Sequence, residues 1–175
     1  MFAVSSRPKK GRALMGTSAY VDVPAARKKN ISVLAAMNKN CMIYKKVHNK
    51  ALCGEDFKTA LAEVKATCES IGIQEPVFIV DNARIHHYSG LEEVIVNLGL
   101  VLEYLPPYSP FLNPIENCFS KWKRFVIQGR AKNEIELKEL IDDGFKVITE
   151  EDCNGFYRKM LKYIIKSERR ETILE

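Results

Sequence analysis

A mixed α/β sheet covered by helices is the fold class that this 175-residue sequence predicts. Three observations lead there. Short apolar, strand-like runs alternate with amphipathic stretches of helical length, the order that builds sheets with helices packed on them. A composition of 46% hydrophobic and 28% charged residues is that of a chain with a packed core, which argues against dominant disorder. The length suits one domain with a core of useful size. There is no internal repeat and no low-complexity segment.

The elements follow in order. Residues 1–29 form the least regular part, a basic loop or arm with at most one short strand near Tyr20 to Val23, because Pro8, Gly11, Gly16 and Pro24 interrupt it. ISVLAAMN (31–38) and CMIYKKVH (41–48) are strands on either side of a Lys39-Asn40 turn, hence a hairpin. Residues 54–72 read as a helix with Phe57, Leu61, Val64 and Cys68 on one face. EPVFIVD (75–81) is a continuously apolar strand, the pattern of a central strand covered on both faces. A short helix (91–99) ends at Gly99, and LVLEYL (100–105) is the next strand. PPYSPFLNP (106–114) is a stiff loop holding four of the seven prolines. Three helices close the chain at roughly 114–127, 133–148 and 151–168, the first carrying Ile115, Phe119, Trp122 and Val126 on one face. The expected division is a 1–29 arm, a 30–130 core and C-terminal helices over 131–175 packed on that core, one domain overall.

Charge and cysteine usage narrow the function classes. The net charge is +5, compatible with a polyanionic partner without requiring one. Basic residues cluster at 1–30, including Arg27 and Lys28 with Asp22 as the sole acid, and again at Lys121, Lys123, Arg124 and Arg130. Either cluster reads equally well as a solvated surface or as a DNA contact. The five cysteines form no C-x-x-C pair, which disfavours a disulfide framework and a zinc ribbon, so most are expected to be small core residues. No signal peptide and no 18-residue apolar stretch occur, so the expectation is a soluble intracellular protein with no membrane partner.

Two acids stand out. Asp81 ends the apolar FIV run, and mixed sheets of this kind place their sites at the carboxyl ends of strands. Glu116 lies in N-P-I-E, where Asn113 is a good N-cap, Pro114 a good first helical residue, and Glu116 the third position of a capping box. Locally, the cap is the favoured reading of Glu116, as a strand-ending turn is a sufficient reading of Asp81. The functional alternative uses the proline-stiffened loop to hold the first turn of the 114–127 helix beside the sheet edge. Two carboxylates meeting there repel unless a cation joins them. Hard divalent ions take oxygen ligands, and magnesium uses few protein carboxylates with water and phosphate oxygens completing its shell. That arrangement fits metal-assisted phosphoryl transfer on nucleic acid. The adjacent His86 and His87 cannot both point one way, and neither is assigned as a metal ligand.

The stretches VPAARKKNISVLAAM, FIVDNARIHH and LEYLPPYSPFLNPIENCFSKWK together resemble the DDE transposases of the mariner type, over most of residues 10–130. The Y-x-P-x-Y-S-P-x-L-N-P-I-E block is the specific part, and the spacing of Asp81 and Glu116 is one that the group commonly shows. The resemblance implies a ribonuclease-H-like fold and a triad of two aspartates and a glutamate holding two magnesium ions, with manganese as a substitute. Asp81 matches the second aspartate and Glu116 the glutamate. Asn82, His86 and Asn113 match positions that shape the site. The activity implied is cleavage and strand transfer of DNA phosphodiesters in transposition, with transposon ends and target DNA as partners, a nuclear location, and compatibility with a homodimer.

One departure limits that expectation. The family places its first aspartate on a strand that precedes the hairpin, and no apolar run ending in Asp lies ahead of the hairpin here. Asp22, beside Pro24, is a poor substitute. The sequence is therefore expected to be a catalytic core truncated at its N-terminus, lacking the sheet's middle strand and inactive alone. The alternative is a catalytically dead remnant that only binds nucleic acid. A third reading is an unrelated α/β domain in which Asp81 ends a turn and Glu116 caps a helix.

Overall fold

A computed structural model describes residues 15–16 and 31–173. The strand expected at 20–23, Asp22, Arg27 and Lys28 lie outside the described residues. The hairpin forms as the alternation predicts: β1 (Ser32–Met37) pairs antiparallel with β2 (Met42–His48), Ser32 opposite His48. Asn38 closes the turn, its side-chain oxygen accepting from the amides of Asn40 and Cys41, each at 2.8 Å. Then come α1 (Gly54–Ser70), β3 (Val77–Val80), α2 (Leu91–Leu98), β4 (Val101–Tyr104), α3 (Pro114–Gln128), α4 (Glu134–Lys146) and α5 (Glu150–Glu168).

The strands do not make one sheet. β1 and β2 form one two-stranded sheet, β3 and β4 a second, parallel one, with no hydrogen-bonded ladder between the two. Among the described residues no strand lies between them. This corrects the expectation that the FIV strand is covered on both faces. Phe78 and Val80 turn toward the helices, whereas Val77 and Ile79 stay 55% and 62% exposed, as does their neighbour Val101 at 52%. The cause is simple: among the described residues β3 has a ladder partner on one edge only, and no helix packs over its outer face.

Each sheet has its own core. Under β1, Ile31 and Val33 meet Phe119, Trp122 and Val126 of α3 and Ile141 and Phe145 of α4. Under β3 and β4, Phe57 and Leu61 of α1 meet Leu91 and Leu100, with Phe78 and Val80 packed against them. Helix α1 joins the two. Its predicted face, Phe57, Leu61, Val64 and Cys68, is buried. Elsewhere on α1, Glu63 accepts from Lys46 Nζ at 2.6 Å and from the Tyr44 hydroxyl at 2.5 Å, both on β2. Burial and that carboxylate push the Tyr44 hydroxyl well above its ordinary pKa.

Trp122 anchors the larger core. It is fully buried, its indole N–H donates to the Ile141 carbonyl at 3.0 Å, and its ring stacks on Phe145 at 4.9 Å. Of the five free cysteines, Cys68, Cys118 and Cys153 are buried and Cys41 and Cys53 are exposed, so the core role expected of most of them holds for three. Helices α4 and α5 both pack on α3. No described helix is long and apolar enough to cross a membrane.

The α3–α4 approach depends on Gly144, where an added Cβ would sit 2.8 Å from Trp122 Cδ1 and 3.1 Å from Phe125 Cδ1. Alanine ordinarily improves a helix interior by up to about 1 kcal/mol over glycine. Here overpacking dominates, and Gly144→Ala is expected to destabilise the fold by about 1–3 kcal/mol. Chemical denaturation of the variant measures this; a more stable variant would contradict the packing described.

Candidate active site

The site grows from the end of β3. Because β3 and β4 run parallel in register, Val80 lies opposite Tyr104 and both strands end at one level. The Leu105 amide donates to the Val80 carbonyl at 2.9 Å, extending the ladder one step. The chain then leaves β3 through Asp81 and leaves β4 into the proline loop.

Asp81 opens a turn. One of its carboxylate oxygens accepts from the Ala83 amide at 3.1 Å, a local side-chain-to-backbone bond typical of aspartate. The following short 3₁₀ turn, Arg84–His87, brings His86 back, so that Nδ1 lies 2.9 Å from Asp81 Oδ1 and 2.9 Å from the Asp81 carbonyl oxygen. The His86 ring also packs on Phe57 of α1, with centroids 4.4 Å apart. The His86 bond, together with the Ala83 amide, holds the Asp81 carboxyl below its ordinary pKa even though burial works the other way. Asp81 therefore stays ionised and oriented.

The two histidines diverge as adjacency requires. While His86 faces Asp81, His87 bonds the Asn82 side-chain oxygen and stacks on Tyr104, centroids 4.6 Å and planes 15° apart. The Tyr104 hydroxyl in turn donates to the His86 carbonyl at 2.6 Å. Asn82, His86, His87 and Tyr104 thus tie the turn after β3 to the end of β4. Tyr104 was not singled out in the sequence, and Phe57 only as part of the apolar helix face. The parallel register that places Tyr104 beside Val80 is the signal that finds it.

Glu116 arrives from the other side. The loop passes through Tyr108, whose φ of 57° is left-handed, and a 3₁₀ turn at Pro110–Leu112, then enters α3 at Pro114. Asn113 occupies the N-cap, but its side chain makes no capping bond. The capping box that the local sequence favours is not made, which corrects that reading of Glu116. The Glu116 amide is instead satisfied by the Asn113 carbonyl at 3.1 Å. The Glu116 carboxylate is half-buried, and its pKa is raised, first by burial and then by the Asp81 charge, with Lys123 opposing. The Asp81 charge thus works against ionisation of Glu116.

The remaining candidates divide. Lys123, about two turns along α3 from the acid, has its pKa lowered by burial while the Glu116 charge works to raise it. Lys121 is ion-paired with Asp152 at the start of α5 and is occupied in fixing that helix. Arg124 is exposed. Arg27 and Lys28 are outside the described residues. The donor set suits a hard divalent cation, since two half-exposed carboxylates offer oxygen ligands and leave room for water and phosphate. Among the described residues no group of three or more His, Cys, Asp or Glu side chains is placed to hold a metal, so the third acid that a two-ion site implies is not present there.

Comparison with known proteins decides the family. The profile described as DDE superfamily endonuclease matches residues 1–138 of the 175. The chain belongs to the DDE superfamily endonuclease family. Its fold is that of the mariner catalytic domains. A pre-cleavage Mos1 transpososome superposes with a TM-score of 0.77 at 16% identity, covering 100% of this chain and 54% of that one. The Mos1 mariner paired-end complex with Mn gives 0.75 at 17% identity, covering 95% and 51%. The isolated catalytic domain of Mos1 mariner transposase gives 0.72 at 14% identity, covering 85% and 78%. The chain thus spans about half the length of the complete transposase chains it matches. No curated protein matches it in sequence.

The opposed shifts of the two acids generate a pH test. Glu116, held above its ordinary range, favours folding while protonated, below about pH 4, and that contribution is lost as pH rises through its folded value. Asp81, held below its ordinary range, contributes above about pH 4 and loses that contribution as pH falls through its folded value. In metal-free buffer, Glu116→Gln is expected to melt higher than wild type at pH 7.5, with the difference vanishing near pH 4. Thermal melts across that range check it, and a variant that melts lower at pH 7.5 would refute the mutual repulsion.

Proposed function

We propose that Asp81 and Glu116 hold a divalent cation, magnesium or manganese, and that this domain acts on DNA phosphodiesters in cleavage and strand transfer during transposition, in the nucleus. The observation that carries this reading is a half-buried Glu116 in the first turn of α3, free of any capping bond and within electrostatic reach of Asp81, which His86 holds at the end of β3. A carboxylate kept near a like charge without its capping bond is a cost that a shared cation removes. The Mos1 paired-end complexes with Mn, with Mg and with the left transposon end support the same choice of ion and substrate.

The chain's own residues prepare the site. His86 keeps Asp81 ionised and aimed, as outer partners of metal ligands do. The Asn82–His87–Tyr104 contacts fix the turn that carries Asp81. The proline loop and Trp122 hold the first turn of α3, and with it Glu116. A divalent ion bound there would neutralise charge on a phosphoryl oxygen undergoing in-line displacement.

Manganese titration with thermal melting tests the proposal. At about 100 times its Kd, a bound ion adds about 2.7 kcal/mol to stability, a rise of roughly 5–10 °C for a chain of this size. That rise is expected for wild type and not for Asp81→Asn or Glu116→Gln. An equal response in all three would sink the assignment.

A second reading has its own observation: among the described residues the acids number two, not three. It holds that the domain binds DNA without cutting it. Nicking of supercoiled plasmid with manganese separates the two, since nicking abolished by Asp81→Asn supports the enzyme and DNA binding without nicking supports the binding module.

A further inference from the structure

Several lysines on the described surface have acidic partners. Lys45 pairs with Asp142, Lys46 with Glu63, Lys50 with Asp56, Lys138 with Glu134 and Lys146 with Asp143. The C-terminal half of α5 carries no such pair within the helix. Arg158, Lys162 and Lys166 are exposed, recur at every fourth residue, and have no acidic partner among the described residues. Spacing of four along a helix places them on one ridge, neighbours about 5–6 Å apart and about 12 Å end to end. Like charges at this spacing disfavour the helix. Beside the ridge, Leu161 and Ile165 remain 51% and 46% exposed.

The ridge is fixed relative to the candidate site. One residue round from it, Lys159 Nζ donates to the side-chain oxygen of Asn117, the residue after Glu116, at 2.9 Å. On the same line Tyr163 packs on Phe111 of the loop leading into α3, centroids 5.5 Å apart. At its N-terminus, α5 is tied to α3 by Lys121 and Asp152. The helix therefore cannot move independently of the turn that carries Glu116.

We infer that the Arg158–Lys162–Lys166 ridge of α5 contacts the phosphates of duplex DNA whose scissile phosphodiester lies at the Asp81–Glu116 pair. The inference rests on the phosphodiester reading of that pair. Duplex DNA carries one negative charge per about 3.4 Å of axis on each strand, so a 12 Å ridge spans roughly three to four phosphates of one strand. A polyanion of that density offsets the repulsion along the ridge. The contact is indifferent to base sequence, because cations on phosphates position a duplex without reading it.

The test is fluorescence anisotropy of a labelled 20-base-pair duplex of mixed sequence, in EDTA, from 50 to 200 mM salt. Each lost phosphate contact lowers the slope of log K against log salt by about 0.9. The triple variant Arg158→Gln/Lys162→Gln/Lys166→Gln is expected to lose about 2–3 from that slope and to bind at least tenfold more weakly at 100 mM salt. Lys162→Arg/Lys166→Arg should keep the wild-type slope, as should Lys138→Gln/Lys146→Gln. The triple variant should also melt no lower than wild type, since three like charges are removed. Equal slopes in wild type and triple variant, no salt-dependent binding by wild type, or a lowered melting temperature would each overturn the inference. So would polyglutamate competing as well as duplex, which would assign the ridge to an acidic protein. Because EDTA removes metal, failure of the manganese response at Asp81 and Glu116 is read separately from failure here.

Discussion

The parallel pairing of β3 with β4 is the constraint on which the site depends. It ends two strands at the same level and sends two chains outward from one point. One carries Asp81 directly; the other carries the proline loop that reaches Glu116. The bond from the Leu105 amide to the Val80 carbonyl carries that register one step past the strands. A one-residue slip would move Phe78 and Val80 off the α1–α2 core. The tyrosine at the end of β4 closes the arrangement by bonding the backbone of the turn that Asp81 opens.

The second acid obeys a different constraint. Glu116 stands six residues before Trp122 on α3, less than two turns of helix. Trp122 is fully buried and bonded to α4, so α3 has little freedom to carry Glu116 away from Asp81. The rigid core thus sustains an electrostatic arrangement that the two carboxylates alone would relax. This is the usual relation between a packed scaffold and a strained site.

Much of this was legible in the sequence because local pattern and tertiary packing agree. The helical face Phe57, Leu61, Val64 and Cys68 and the α3 face of Phe119, Trp122 and Val126 are buried as their spacing indicates. Asp81 was legible as the polar end of an apolar run. Glu116 was only partly legible: Asn-Pro-x-Glu is also the signature of a capped helix, and nothing local says that the Asn113 side chain declines the role. Tyr104 was hidden because its importance comes from a neighbour 24 positions away in sequence, across a parallel ladder. The apolar run 77–80 suggested burial on both faces, but hydrophobicity reports what a strand can cover, not whether a cover is there.

The division of the apolar interior bears on how the chain comes apart. One core lies between the hairpin, α3 and α4; the other lies between β3, β4, α1 and α2. Their ladders are not continuous, and α1 is the shared member. Cooperativity in small domains comes from a single interior in which the loss of any part exposes the rest. Here the region from 71 to 105 can open without uncovering Trp122. Asp81 rides on that region and Glu116 on the other. The two acids thus rest on different apolar clusters, and the integrity of the pair depends on both.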